Sequence, residues 1–144
     1  KKGKGLLVLM LSIIVILGVL LLIGTLPITG SDNNTTIRND TLFIEGLYAK
    51  EIPIASITQV DSNATVPDIE MRTNGMSLGE INVGHFKTEE GQDVLLYLHS
   101  DDTNVTHIKT KNNEDIYINF KDSALSVDFP NKLKASFHRP VKGK

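Results

Sequence analysis

Hydrophobic and polar positions divide the chain into two regimes. From Leu6 to Leu26 the residues are Leu, Val, Ile and Met, broken only by Ser12, Gly18, Gly24 and Thr25, with no charge. At about 1.5 Å per residue this run makes a helix of about 31 Å, which matches a hydrocarbon core about 30 Å thick. Small residues are common in such spans, and Pro27 stops the helix. From Ile37 onward the pattern shortens to strand-length pieces rich in β-branched and aromatic residues: Leu42 to Ile44, Tyr48 to Ile52, Ile54 to Val60, Glu70 to Thr73, Glu80 to Lys87, Val94 to His99, Thr106 to Thr110 and Asp115 to Phe120.

Polar punctuation supplies the connections. Gly30 to Thr36 reads as a flexible linker. Asn74-Gly75, Glu90-Gly91, Asp101 to Asn104 and Asn112 to Glu114 read as turns, which predicts an antiparallel meander. Ile116, Ile118 and Phe120 alternate with Tyr117 and Asn119, as in a half-buried strand, whereas Val94 to Leu98 is nearly all apolar and should be central. Asp122 or Ser123 can start a helical turn, but Phe129 precedes a proline, so the longer helix is expected to begin at Pro130. Leu133 and Phe137 would share its buried face. The expected organisation is an anchor over residues 1–27, a linker over 28–36, a β domain over 37–138 and a basic tail over 139–144.

Charge sets the orientation. Lys1, Lys2 and Lys4 precede the apolar run and no basic residue follows it until Arg38, so the N-terminus is expected in the cytoplasm and the β domain outside the cytoplasmic membrane of a bacterium. The run is too long for the apolar region of a cleaved signal. A net charge of −2 gives no positive field to draw nucleic acid. The absence of cysteine excludes disulfides and thiolate chemistry.

Candidate chemistry is sparse. His85, His99, His107 and His138 stand in no HExxH pattern, and His99 with Asp101 and His107 forms at best a loose cluster. Asp61-x-Asn63-x-Thr65 begins like a calcium loop, but Val66 and Arg72 occupy the glycine and glutamate positions. Leu26-Pro27-Ile28-Thr29-Gly30 matches a wall-sorting pentapeptide but follows the apolar helix instead of preceding it. No nucleophile elbow, P-loop or dinucleotide signature is present. No cofactor or metal is expected. Lys132, Lys134, Arg139, Lys142 and Lys144 cluster as a possible attachment surface for anionic lipid or wall polymer.

Taken in order, Tyr48, Ile52-Pro53, Ile57, Val60, Arg72-Thr73-Asn74-Gly75, Gly79, Gly84-x-Phe86, Val94 to Leu98 and Ile116 to Asn119 resemble a bacterial pleckstrin-homology-like domain family found in small, often membrane-attached proteins. The resemblance covers about Leu42 to Ala135. It implies a mainly β fold, an antiparallel PH-like barrel of about seven strands closed at one end by the C-terminal helix. Tyr48, Asn74, Gly75, Gly79, Gly84 and Phe86 are then structural motif residues, the glycines bending strands and Phe86 packing inside the barrel. Asp61, Asp68 and Glu70 against Arg72 alone disfavour phosphoinositide binding. The expected function is a membrane-anchored, non-enzymatic module that binds a protein or peptide, along an exposed strand edge for instance. The alternatives are a small-ligand sensor or accessory subunit of a membrane complex, and, behind both, an envelope hydrolase.

Overall fold

The computed structural model describes residues 2–24 and 32–137. The chain falls into two units, Lys1–Gly30 and Ser31–Lys144. In the first, helix α1 spans Lys2–Gly24. It contains no proline, and Ser12 satisfies its hydroxyl by donating to the Leu9 carbonyl at 2.9 Å. The side chains from Val8 to Gly18 are all exposed. That stretch alone is shorter than the about 20 residues a bilayer requires, and among the described residues no helix is long and apolar enough to cross a membrane. Thr25, Leu26, the Pro27 stop and the pentapeptide ending at Gly30 lie outside the described residues.

The second unit is mainly β, with nine strands in two sheets and a C-terminal helix among its described residues. Strands β1 (Asn34–Arg38), β2 (Thr41–Glu45) and β3 (Lys50–Pro53) form a three-stranded antiparallel sheet. Its first hairpin turns on Asn39 and Asp40, both at positive φ, the backbone that a tight two-residue turn demands and that Asn and Asp tolerate. Asn34 to Thr36, expected as linker, are therefore strand. Pro53 ends β3, and a 3-10 turn at Ile54–Ser56 carries the chain to the second sheet, so the strand expected over Ile54 to Val60 starts only at Ile57.

The second sheet contains β4 (Ile57–Asp61), β5 (Ile69–Leu78), β6 (Ile81–Thr88), β7 (Asp93–Leu98), β8 (Thr106–Thr110) and β9 (Asp115–Ile118), in the order β4-β8-β9-β7-β6-β5. The expected meander holds for β5-β6-β7 but not beyond. The β8-β9 hairpin, turning at Asn113, folds back so that β9 lies between β7 and β8, parallel to β7. Val94 to Tyr97 are buried in an unbroken run, as in an interior strand covered on both faces. Asn74-Gly75, expected as a turn, lies inside β5, and the reversal comes at Gly79.

The sheets face each other across a core that includes Leu42, Ile44 and Ile52 from one and Val60, Leu95, Ile108, Ile116 and Ile118 from the other. The Tyr97 hydroxyl bridges them by donating to the Tyr48 carbonyl at 2.6 Å, and Lys50 pairs with Glu114 at 2.7 Å. The barrel of about seven strands is thereby corrected. No ladder joins the two sheets, so the barrel is not closed. Phe86 is corrected too. In β6 it stands three residues from the core residue Val83, hence on the opposite sheet face, where it packs with Val94 and Leu96 under Val66 and Ile69.

Helix α2 runs Ser123–Ser136, not from Pro130. Asp122 caps it, its carboxylate accepting from the Ala124 and Leu125 amides. Ser126 exchanges hydrogen bonds with the backbone of Phe120, and Phe129 packs on Phe120 at 5.2 Å between ring centres. These contacts outweigh the local bias against helix before a proline. Ser126, Phe129, Pro130 and Leu133 form the buried stripe, while Phe137 at the C-cap is 40% exposed and leaves the face expected for it.

Candidate functional site

A groove of about 540 Å³ runs between β1 and α2. Asn34, Thr35 and Ile37 form one wall and Leu125, Phe129, Lys132, Ala135 and Ser136 the other, over a floor that includes Phe120. Its size falls in the range of ligand clefts. One end is fixed by a strap that the linker expectation hid. The Asp32 carboxylate accepts from the Lys121 and Asp122 amides at 2.8 and 3.2 Å, tying the start of β1 to the start of α2. Asn33 donates from Nδ2 to the Tyr97 and Asn119 carbonyls at 2.7 and 2.6 Å. Asn119, wholly buried, accepts at Oδ1 from the His99 amide and donates to the Ser100 carbonyl. Short polar side chains after an apolar run gave no sign of this role.

A second groove, of about 510 Å³, lies on the outer face of the larger sheet. Its floor holds Phe86, Leu96 and Leu98, with Val66 and Ile69 along it and Glu70, Arg72 and Asp101 among its polar residues. The other half of that face is polar. His107 lies between carboxylates, 2.8 Å from Asp115 and 3.4 Å from Asp61, and stacks on Tyr117 at 4.6 Å. Burial, with Asp115 and Asp61 beside it, raises the Tyr117 hydroxyl above its usual range. His99, at best part of a loose cluster with His107 by sequence, is buried near Asp32. Burial lowers its pKa, Asp32 opposes that and Lys121 reinforces it, and its Nδ1 has no hydrogen-bond partner among the described residues. His85 is exposed on β6. Among the described residues no group of three or more His, Asp or Glu is placed to hold a metal ion.

The motif residues converge on a structural crossing. Gly84, at φ 113°, faces Gly75 across the β5-β6 ladder; a Cβ there would sit 2.6 Å from the Asn74 carbonyl oxygen and 3.2 Å from the Tyr48 ring. A Cβ on Gly75 would meet the Phe86 ring at 3.1 Å. Gly79 stands apart at the hairpin turn with φ 58°. Of the basic residues, Lys132 lines the first groove and Lys134 is exposed on α2, while His138, Arg139, Lys142 and Lys144 lie outside the described residues.

Comparison with known proteins agrees with this organisation. The family described as Bacterial PH domain matches residues 33–132, a span that opens on the strap asparagine and ends on the groove lysine. No curated protein and no solved structure gives a match. A match over that much of the chain, on a two-sheet β fold with a C-terminal helix, places it: the protein belongs to the bacterial PH domain family.

Proposed function

We propose that the protein is a non-enzymatic interaction module, anchored in the bacterial cytoplasmic membrane through Leu6 to Leu26, that presents the groove between β1 and α2 to a protein or peptide outside the cell membrane. The groove is the observation that carries this reading. It joins apolar side chains to β1, an edge strand among the described residues, and is held at one end by Asp32 and Asn33. The anchor is supported by the uncharged run after Lys4 and by the internally bonded hydroxyl of Ser12, which lets α1 face lipid without an orphaned polar side chain. The lysines before that run support an inside N-terminus.

Leu125 is 42% exposed in the groove wall, so Leu125→Glu should leave the melting temperature nearly unchanged while removing binding. Chain reconstituted in nanodiscs is compared with the Leu125→Glu variant for proteins recovered from solubilised membranes, quantified by mass spectrometry. A partner recovered with the parent and lost with the variant supports the reading; identical recoveries refute it. Sidedness is tested with Asp102→Cys, which sits in an exposed loop and supplies the chain's one thiol. Labelling of intact cells by an impermeant maleimide supports an outside domain, and labelling only after lysis overturns it.

A further inference from the structure

The two sheets have four edges, and three of them carry features that impede strand addition. β3 contains Lys50 and ends in Pro53, whose nitrogen donates no hydrogen bond. β4 is bulged between Ile57 and Gln59. β5 is bulged twice, between Ile69 and Met71 and between Arg72 and Asn74. Bulges twist an edge away from a straight partner. The fourth edge, β1, pairs with β2 in unbroken register from Asn34 to Arg38 and has no lysine or proline.

Register also fixes which backbone groups of β1 are available. In a two-residue hairpin the residues flanking the turn, here Arg38 and Thr41, exchange hydrogen bonds, and such pairs alternate along the ladder. Arg38, Thr36 and Asn34 therefore bond toward β2, and Thr35 and Ile37 direct their N–H and C=O groups away from it. Among the described residues, no backbone bond from another element reaches either residue. Both line the groove, opposite Leu125 and Phe129. Among the described residues, the groove's single charged lining residue is Lys132.

We propose that the occupant of the groove is an extended, acidic peptide segment of a partner protein, which adds to β1 as a further strand. Resting on the interaction-module reading, this assigns the contacts as follows. The segment's backbone exchanges up to about four hydrogen bonds with Thr35 and Ile37. An apolar side chain seats against Leu125 and Phe129, and a carboxylate pairs with Lys132. Arg139, Lys142 and Lys144 carry the same sign as Lys132 and so cannot supply its counter-charge. A second copy is disfavoured for the same reason, since it would bring β1, which has no acidic residue, to that lysine.

The test uses the full chain in nanodiscs and fluorescein-labelled Ser-Thr-Leu-Thr-Leu-Glu-Ser, read by anisotropy and by backbone NMR. Expected are saturable binding, chemical-shift changes at Thr35, Ile37, Leu125 and Lys132, and slowed amide exchange at Thr35 and Ile37. Replacing the peptide's Glu with Lys should weaken binding about fivefold, and Lys132→Glu should reverse that preference. N-methylation of the peptide amides that face β1 should weaken it about tenfold or more. Shifts confined to Phe86, Leu96 and Leu98 would overturn strand addition at β1 and move the module's binding surface to the second groove. Concentration-dependent dimerisation that Leu125→Glu abolishes would overturn it in favour of a second copy. No binding by this peptide or by any member of a displayed random heptamer library at millimolar concentration would also overturn it. The Leu125→Glu comparison above would then decide the module reading separately.

Discussion

Replacing Asn33 with alanine separates the strap from a linker more sharply than any other change in the chain. The Nδ2 group donates at 2.7 Å to the Tyr97 carbonyl and at 2.6 Å to that of Asn119. After truncation the Tyr97 carbonyl keeps the Asn119 amide at 3.1 Å, but the wholly buried Asn119 loses a donor that water replaces poorly. Two lost hydrogen bonds, one leaving an unsatisfied carbonyl, cost about 1–3 kcal/mol. For a unit of this size that is a fall in melting temperature of about 4–12 °C. The assay is thermal denaturation followed by circular dichroism in detergent micelles, with Thr36→Ala as the control. Thr36 is exposed in the middle of β1, and its replacement should change stability by less than about 0.5 kcal/mol. A melting temperature for Asn33→Ala within about 1 °C of the parent would refute the strap and restore the linker.

Two further outcomes follow from the geometry. Gly84 and Gly46 both have positive φ, 113° and 127°, but a Cβ on Gly46 meets nothing within 4 Å whereas one on Gly84 collides with backbone at 2.6 Å. Gly46→Ala should cost about 1 kcal/mol of strain and Gly84→Ala at least about 3 kcal/mol, measured by urea unfolding; equal costs would sink the crossing argument. His99 supplies a pH dependence. Because burial holds its folded pKa below the unfolded value of about 6.5, its neutral form stabilises the fold above that value, and stability falls as pH drops below it. Melting temperature should decline from pH 7 to 5.5, and His99→Leu should flatten that decline; an unchanged slope would contradict the assignment.

Much of the fold was readable where one physical signal acted alone. The apolar runs at Val94 to Leu98 and Ile116 to Ile118 marked strands because burial on a pleated sheet has a fixed period, and Asn112 to Glu114 marked a turn because Asn113 needs positive φ. Readings failed where long-range contacts decided the outcome. Asn33 and Asn34 look like linker residues, but their partners lie on Tyr97, Asn119 and Glu45. The proline rule placed the helix start at Pro130, yet the Asp122 cap and the Ser126 bonds to Phe120 favoured an earlier one. Asn74-Gly75 matched a turn signature, but that glycine serves close approach to Gly84 within a ladder. The groove was legible only in part. Lys132 stood out by charge, whereas Thr35, Ile37 and Leu125 carry no signal until β1 and α2 are placed together.

The most direct test of the interaction groove is site-specific photocrosslinking in the native cell, with a benzophenone side chain at position 125 and a control at position 78. Leu125 lines the groove and Leu78 is 55% exposed at the β5-β6 hairpin, away from it. A discrete protein adduct is expected from position 125, lost on Lys132→Glu and absent from position 78. An adduct only from position 78, or none from position 125 in folded, membrane-resident protein, would contradict it.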